Sequence, residues 1–267
     1  MTDLQDVLKD LNTDCDEIGR LVAGLEASRW QLPTPAPGWT IAHQVAHLTA
    51  TFQMATTAAA DPAAFRAFTE RISGDFTANV AAALAPYLAL PPDALLSRWQ
   101  AECANVTRAL AAVPPGQVVP WLVRPLPPAV LACAGIMETF AHGQDIADAV
   151  GEQREATDRL RHLVGFAVLV WDFGYQARGM APPAQEFRFE ITAPSGELWA
   201  FGPPDAAQKI AGPALDFCLL VTRRRHRDDL ALTATGPDAD QWLDIAQAYR
   251  GPAGPGRSPG QFAASRR

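Results

Sequence analysis

The sequence predicts an α plus α+β protein, with an N-terminal four-helix bundle followed by a small C-terminal α/β domain. The N-terminal half consists of long segments with apolar residues at helical spacing, and loops rich in proline and glycine separate these segments. Near residue 180 the apolar period changes to the alternation that is typical of strands. Such a change of period along a chain indicates a second domain of mixed helix and strand content.

The predicted helices of the first domain begin or end at local signals. Residues 3–27 carry apolar side chains at helical spacing, and the prolines of the segment 33–38 interrupt this helix. Thr40 is suited to cap the second helix, which extends to about Ala60. Gly151 ends the last helix of the bundle. Further helices are predicted for residues 62–72, 76–90, 95–113 and 128–150, and a proline-rich extended connection is predicted for residues 117–127.

The C-terminal part mixes helices and strands. Residues 187–192 alternate apolar and polar side chains, and a turn at 194–197 leads to a second strand at 198–201, which predicts a hairpin. Residues 230–236 alternate again and predict a third strand. Helices are predicted for 158–178, 214–223 and 238–249. The predicted boundaries are a helical bundle over 1–155, a connecting helix over 156–180, an α+β domain over 181–257 and a flexible tail over 258–267.

The composition restricts the classes of function. The chain has 267 residues, of which 48% are hydrophobic and 19% charged, as expected for a globular protein. A net charge of -7 and a pI near 5.2 exclude nucleic acid and anionic membranes as main partners. No apolar run approaches the about 18 residues of a bilayer span, and the acidic N-terminus lacks a secretion signal, so we expect a cytoplasmic location. The four cysteines form no CxxC pair, which indicates neither a disulfide framework nor a thiolate zinc site.

Three residues of the first domain form a candidate metal site. Glu138 and His142 are four residues apart in an apolar helix, so they share one helix face, and a carboxylate facing the core needs a partner or an ion. His47 lies in the apolar part of the second helix. Two imidazoles and one carboxylate make a ligand set with an open coordination position. The alternative interpretation is a surface charge pair, which this spacing produces in many helices.

His43 and Asp145 are candidate neighbours of that site. His43 lies one turn before His47, and it is open to interpretation as a fourth ligand, as a contact at the edge of the site, or as a hydrogen-bonded residue near the helix start. Asp145 follows His142 by three residues and is positioned to accept the second imidazole N–H, as metal-bound histidines usually require. Its alternative role is a solvated charge on the helix surface.

A cluster of arginines follows the predicted helix 214–223. Arg223, Arg224 and Arg225 are consecutive, Arg227 follows closely, and Arg257 lies in the glycine-rich tail. An acidic protein that handles an anion needs local positive charge, so these residues are candidates for lining a cleft between the two domains. The alternative is that they are solvated or paired with nearby carboxylates.

The cysteines and the tryptophan at the start of the second helix are interpreted as packing residues. Cys133 and Cys218 lie in apolar helical segments and resemble small buried hydrophobic residues more than nucleophiles. Trp39 is interpreted as a packing anchor rather than a stacking platform for a ligand.

Two segments resemble the metal motifs of the DinB-like superfamily. Segment 38–48 is similar to its helix-two motif, and segment 137–145 is similar to its last-helix motif. Within that superfamily the chain most resembles the mycothiol-dependent maleylpyruvate isomerase branch and its actinobacterial relatives. Segments 209–218, 223–225 and 241–243 resemble the small α/β domain of that branch, so the resemblance covers nearly the whole chain. The residues concerned in the two motifs are Gly38-Trp39-Thr40, His43, Ala46-His47-Leu48 and Met137-Glu138-Thr139-Phe140-Ala141-His142-Gly143-Gln144-Asp145.

The resemblance implies a bundle that binds one divalent metal through His47, Glu138 and His142. It further implies a thiol-dependent isomerase or S-transferase that acts with mycothiol on a small, anionic substrate. Zinc is the preferred metal, with nickel, manganese or iron as alternatives. His43 and Asp145 are then the catalytic candidates. Arg223, Arg225 and Arg257 are the candidates for binding the cofactor.

Two other functions fit the same residues. The first is a thiol-independent reaction, such as a cyclisation or hydrolysis in specialised metabolism, at the same metal. The second is a metal-binding module without turnover. In each case we expect a monomer or homodimer with no nucleic-acid or membrane partner.

Overall fold

The computed structural model describes residues 3–122 and 124–262, and the chain divides into two compact units, Met1–Glu152 and Gln153–Arg267. We name them the bundle unit and the sheet unit. The segment 156–180, predicted as a connecting helix, belongs to the sheet unit. Residues 263–267 of the predicted tail lie outside the described residues.

Short-range signals begin and end the helices of the bundle unit. The Asp61 carboxylate accepts a hydrogen bond from the backbone N–H of Ala64 at 3.0 Å, and Pro62 occupies the first turn. At the other end of the unit Gly151 adopts φ 78°, the left-handed conformation that closes a helix. The helices are α1 (Leu4–Ala23), α2 (Ile41–Ala60), α3 (Pro62–Thr69), α4 (Phe76–Leu88), α5 (Pro92–Ala111) and α6 (Pro128–Val150).

Four of these helices form the predicted bundle. Helix α2 packs against α5 and α6, and α1 packs against the same two helices. Trp99 is fully buried on α5, where its ring lies 4.9 Å from the ring of Phe52 on α2. The close packing of α2 and α6 is what brings the candidate ligands together, because one histidine lies on α2 and the other two residues lie on α6.

Among the described helices, none alone combines the length and apolarity that a bilayer span needs. Helices α4 and α5 reach that length and apolarity only when taken together, and the chain bends by 112° between them.

The sheet unit contains the mixed helix and strand content that the change of period predicts. The predicted helix 158–178 is broken in two, and at the break the indole N–H of Trp242 donates to the carbonyl of Trp171 at 2.8 Å. A continuous helix would use that carbonyl itself. The elements are α7 (Leu160–Leu169), α8 (Phe173–Gln176), β1 (Phe187–Thr192), β2 (Leu198–Phe201), β3 (Gln208–Pro213), α9 (Ala214–Val221), β4 (Thr233–Thr235) and α10 (Pro237–Ile245).

The strands form one sheet in the order β2-β1-β3-β4. The predicted hairpin is confirmed, since β1 and β2 pair antiparallel with Thr192 opposite Leu198. Strand β3 runs parallel to β1 and antiparallel to β4. The sequence analysis missed β3 because Gly212 and Pro213 indicate a loop, and pairing with strands on both sides overrides that local signal.

Aromatic side chains fill the core of the sheet unit. Trp242 is 1% exposed, and its ring lies 5.5 Å from that of Phe189 on β1 and 6.0 Å from that of Phe217 on α9. These contacts hold α9 and α10 against the sheet, as edge-to-face and stacked rings commonly do.

The first part of the predicted flexible tail makes specific contacts within the sheet unit. The backbone N–H of Gly260 donates to the carboxylate of Asp229 at 2.9 and 3.0 Å. The guanidinium carbon of Arg225 lies 3.8 Å from the centre of the Phe262 ring. Residues 258–262 are therefore held by these contacts.

Candidate metal centre

Helices α2 and α6 bring His47, Glu138 and His142 together. The Glu138 Oε2 atom lies 3.4 Å from His47 Nε2 and 3.2 Å from His142 Nε2. One ligand-type atom from each residue lies within 4.8 Å of the other two. Tetrahedral zinc with bonds of about 2.0–2.2 Å separates its ligand atoms by about 3.3–3.6 Å. The observed spacings therefore fit three donors around one cation.

The charge state of Glu138 suits a cation. Burial raises the pKa of this carboxyl, but the hydrogen bonds and positive charge that His142 and His47 offer when protonated outweigh burial, and the net effect is a pKa below the usual value for glutamate. Glu138 is therefore ionised at neutral pH. Its side chain is 21% exposed, so the carboxylate lies in a protected position that is still open to solvent on one side.

Gln44 determines the tautomer of His142. The side-chain Oε1 of Gln44 lies 2.5 Å from His142 Nδ1. The hydroxyl of Thr34 donates to the carbonyl of Trp39 at 2.9 Å, so it accepts from Gln44 Nε2 at 2.8 Å. The Asp145 carboxylate, 3.5 Å from the same nitrogen, also requires an N–H there. The amide oxygen must then face His142 and accept its Nδ1 proton.

This tautomer leaves lone pairs facing one another at the centre of the cluster. With the proton on Nδ1, a neutral His142 directs the lone pair of Nε2 toward the Glu138 carboxylate. Lone pairs at this distance repel unless a proton or a cation lies between them. A divalent cation would satisfy both imidazoles and the carboxylate at once, so the donor set fits a metal.

The indole of Trp39 covers one side of the cluster. Its ring centroid lies 5.3 Å from that of His47 and 5.9 Å from that of His142, with which it is stacked at 22°. The two imidazole centroids are 4.4 Å apart. The sequence analysis interpreted Trp39 as a packing anchor, and its packing partners are the candidate ligands themselves.

The two predicted neighbours of the site have different positions. His43 closes the start of α2, where its Nδ1 accepts a hydrogen bond from the backbone N–H of Thr40 at 3.3 Å. That contact corresponds to the hydrogen-bonded alternative in the sequence analysis. Asp145 is fully buried beside Gln44. Gln44 itself was missed, although a buried amide in an apolar helix needs partners and could have been noticed for that reason.

The arginines predicted to bind a cofactor all lie in the sheet unit. Arg223 and Arg225 follow α9, and Arg257 lies in the segment after α10. Arg225 packs on Phe262, as described above. Arg227, by contrast, is paired with the carboxylates of Asp240 and Asp244, as in the alternative interpretation of this cluster.

The cysteines agree with their interpretation as buried packing residues. All four are buried thiols. Burial raises the pKa of Cys133 to about 12, and it raises the pKa of Cys218 well above its usual value. A thiol in such an environment is a poor nucleophile at neutral pH.

Comparisons with known proteins agree with the fold. Residues 11–147 match the family described as "Mycothiol maleylpyruvate isomerase N-terminal domain", and residues 183–235 match one described as "Wyosine base formation". Uncharacterised proteins from two strains of Mycobacterium tuberculosis, H37Rv and CDC 1551, are each 43% identical over 257 residues, which cover 96% of this chain and 100% of the relative.

Solved structures show the same fold. The crystal structure of a mycothiol-dependent maleylpyruvate isomerase is similar with a TM-score of 0.59 and 15% identity, covering 89% of this chain and 96% of that chain. A histidine-to-alanine mutant of that isomerase gives the same TM-score and coverage at 14% identity. At this level of identity the likeness establishes the shared two-domain fold.

Proposed function

The chain belongs to the family of the mycothiol maleylpyruvate isomerase N-terminal domain, and on this premise we propose that it is a divalent-metal-dependent enzyme acting with a low-molecular-weight thiol. We assign the reaction to isomerisation or S-transfer on a small, anionic substrate, with mycothiol as the thiol and zinc as the preferred metal. His47, Glu138 and His142 would hold the metal.

One observation carries the metal part of the proposal. The Glu138 carboxylate and two imidazole nitrogens converge within 3.4 Å, and Gln44 holds His142 in the tautomer that directs a lone pair into the cluster. With His142 neutral, its Nε2 lone pair and the carboxylate repel each other unless a proton or a cation lies between them. The arrangement is therefore better suited to a cation than to the three side chains alone.

The charge of the donor set favours an anionic fourth group. A divalent cation held there by His47, Glu138 and His142 would supply Lewis acidity, lowering the pKa of a coordinated thiol so that it would lose its proton to solvent at neutral pH. Glu138 contributes a single negative charge and the two imidazoles contribute none, so one positive charge remains uncompensated. That remaining charge favours a thiolate over a neutral group.

The side chains around the cluster control orientation and access. Gln44 fixes the ring of His142, and Asp145 behind it acts as a positioning residue for the amide. Trp39 excludes water from the face of the imidazoles that it covers. The side chain of His47 is 22% exposed, which leaves an approach from solvent for the thiol and substrate.

The choice of a thiol-dependent reaction rests on the relatives. The solved structure with the same fold is, by its title, a mycothiol-dependent maleylpyruvate isomerase. A thiolate delivered at neutral pH can add reversibly to an activated double bond, and loss of the thiol after bond rotation changes the geometry of that bond. Displacement of a leaving group by the same thiolate would be an S-transfer.

Cobalt substitution tests the proposed function directly. We expect cobalt-loaded protein to develop a sulfur-to-metal charge-transfer band when mycothiol is added, because the thiol binds as thiolate. The measurement is an absorption titration with mycothiol, repeated with glutathione. The S-methyl derivative of mycothiol is the control, since it has no proton to lose and should leave the spectrum unchanged.

The same titration separates the alternatives. Protein that binds cobalt but shows no band at millimolar thiol would contradict thiol dependence and favour a thiol-independent reaction. Protein that takes up no metal at all would contradict the metal site.

A Gln44 variant tests the metal site by metal affinity alone, without a measurement of catalysis. Replacing Gln44 by leucine should lower metal affinity by about 10–100-fold, because the change removes the acceptor that orients His142. The measurement is competition against a chelating indicator. Gln100, an exposed glutamine on α5, gives the matched control Gln100→Leu, which should bind metal as the native protein does. Equal affinities for the two variants would contradict the orienting role.

A further inference from the structure

The sheet unit contains a second convergence of polar groups, formed by Arg178, Arg223 and Tyr249. The backbone N–H of Ala248 donates to the carbonyl of Val221 at 2.8 Å, which brings Tyr249 beside the residues that follow α9. Arg178 reaches the same region after α8, where its guanidinium donates to the carbonyl of Ile245 at 3.2 Å. Segments that are distant in sequence therefore meet at this point.

The guanidinium groups of Arg178 and Arg223 belong to this region, and neither has a carboxylate partner in the described part of the chain. Burial and the nearby charge of Arg223 lower the pKa of Arg178. Among the described residues, neither Arg178 nor Arg223 forms an ion pair with a carboxylate. Arg188 in the same unit behaves differently, because it pairs with Glu190 at 3.3 Å. The Arg178 guanidinium donates to the carbonyls of Gly174 and Ile245, at 2.8 and 3.2 Å, which leaves its positive charge without a carboxylate partner among the described residues. Two half-buried like charges of this kind favour the binding of an anion.

Arg223 ends α9 in the left-handed conformation of a helix cap, in which its backbone N–H donates to the carbonyl of Leu220 and that of Arg224 donates to the carbonyl of Leu219, both at 2.8 Å. It has φ 58°, and no other non-glycine residue in the described ranges has a positive φ. Its Nε atom is buried and has no hydrogen-bond partner in the described part of the chain. A Cβ atom at Gly256 would lie 2.6 Å from Arg223 Nη2, so the backbone of this glycine packs directly against the guanidinium. The buried Nε–H of Arg223 is thus a donor without an acceptor among the described residues.

Tyr249 adds a neutral donor to the two cations. Burial raises the pKa of the Tyr249 phenol, and the guanidinium groups of Arg223, Arg224, Arg178 and Arg257 lower it, with burial prevailing. The phenol is therefore protonated at neutral pH and can donate its O–H. Two guanidinium groups and one hydroxyl are the donors that bind carboxylate and phosphate oxygens elsewhere in proteins.

We propose that Arg178, Arg223 and Tyr249 form a binding site for a small anion, the carboxylate or phosphate group of a ligand. This site adds an anion-binding position to the proposed metal centre. It rests on the proposed function in one respect, because an anionic substrate is the ligand that we expect to bind there. Neither Arg178 nor Tyr249 was among the candidate residues identified from the sequence.

Calorimetric titration of the full chain tests the site. We expect metal-free protein, in chloride buffer of constant ionic strength, to bind one of two probes saturably, either malonate as a dicarboxylate or inorganic phosphate. Arg178→Met and Arg223→Gly should each weaken that binding by about tenfold or more, because each removes a charge-assisted hydrogen-bonding group. Arg188→Met, at an arginine that already has a partner, should bind as the native protein does.

Arg223→Gly separates binding from a structural role. Glycine accepts φ 58° without strain, so this variant should melt at or above the temperature of the native protein while losing the anion. Saturable malonate binding identifies a carboxylate ligand, and saturable phosphate binding identifies a phosphate ligand. The proposal would be overturned if neither probe bound the native protein, or if both variants bound the probe as tightly as the native protein does. Because the protein is metal-free, failure here is distinguishable from failure of the cobalt and thiol titration.

Discussion

Glu138→Gln is expected to abolish stoichiometric metal binding while the protein remains folded. Glutamine keeps the shape of the side chain but removes the only charge among the three donors. Its amide can donate a hydrogen bond to the Nε2 lone pair of His142, so the metal-free variant should melt at or above the temperature of the metal-free native protein. We expect metal affinity to fall by at least about a hundredfold, more than for a change at a residue such as Gln44, which orients a ligand without binding the metal.

Elemental analysis and metal-dependent melting measure this effect together. A metal that binds only the folded state raises the melting temperature of the native protein, and it should not raise that of the variant. The control is Glu152→Gln, at an exposed glutamate just after α6, which should retain both metal and the temperature shift. A Glu138→Gln variant that still carries metal would contradict the proposed ligand set.

Trp242→Ala is expected to have the largest effect on stability. Trp242 is 1% exposed between Phe189 and Phe217, and its indole N–H donates to the carbonyl of Trp171. Truncation of a buried aromatic residue leaves a cavity, and here it also removes a donor, so we expect a loss of about 3–5 kcal/mol in the free energy of unfolding.

Urea denaturation followed by circular dichroism measures this loss. Trp199 on β2 is the matched control, because it is only partly buried and its indole N–H donates to Glu197 within the same hairpin. Trp199→Ala should cost less than about 1 kcal/mol. Similar losses for the two variants would contradict the central packing role of Trp242.

The fold of the bundle unit could be predicted largely from local signals. Helix α6 begins at Pro128 and ends before Gly151, as the sequence indicates, because the geometry of a helix end depends on residues within one turn. Strand β3 could not be predicted in this way. Its stability comes from pairing with β1 and β4, which no local pattern within residues 208–213 reports.

The candidate site shows the same division. The shared face of Glu138 and His142 follows from their spacing, whereas the orienting role of Gln44 depends on an amide from α2 meeting an imidazole from α6. The position of His47 in an apolar helical segment made it the third candidate, and the packing of α2 on α6 places its Nε2 3.4 Å from the Glu138 carboxylate.

The sequence by itself determined where the helices of the bundle begin and end, which face of α6 carries the carboxylate and imidazole, and that the chain changes from helical to mixed structure near residue 180. These properties depend on neighbours within a few residues, and the helical and strand periods express them directly. Only the tertiary structure decided the tautomer of His142, the parallel pairing of β1 with β3, and the meeting of Arg178 with Arg223 and Tyr249. Such contacts join residues distant along the chain, and the packing of whole elements, rather than any local period, determines them.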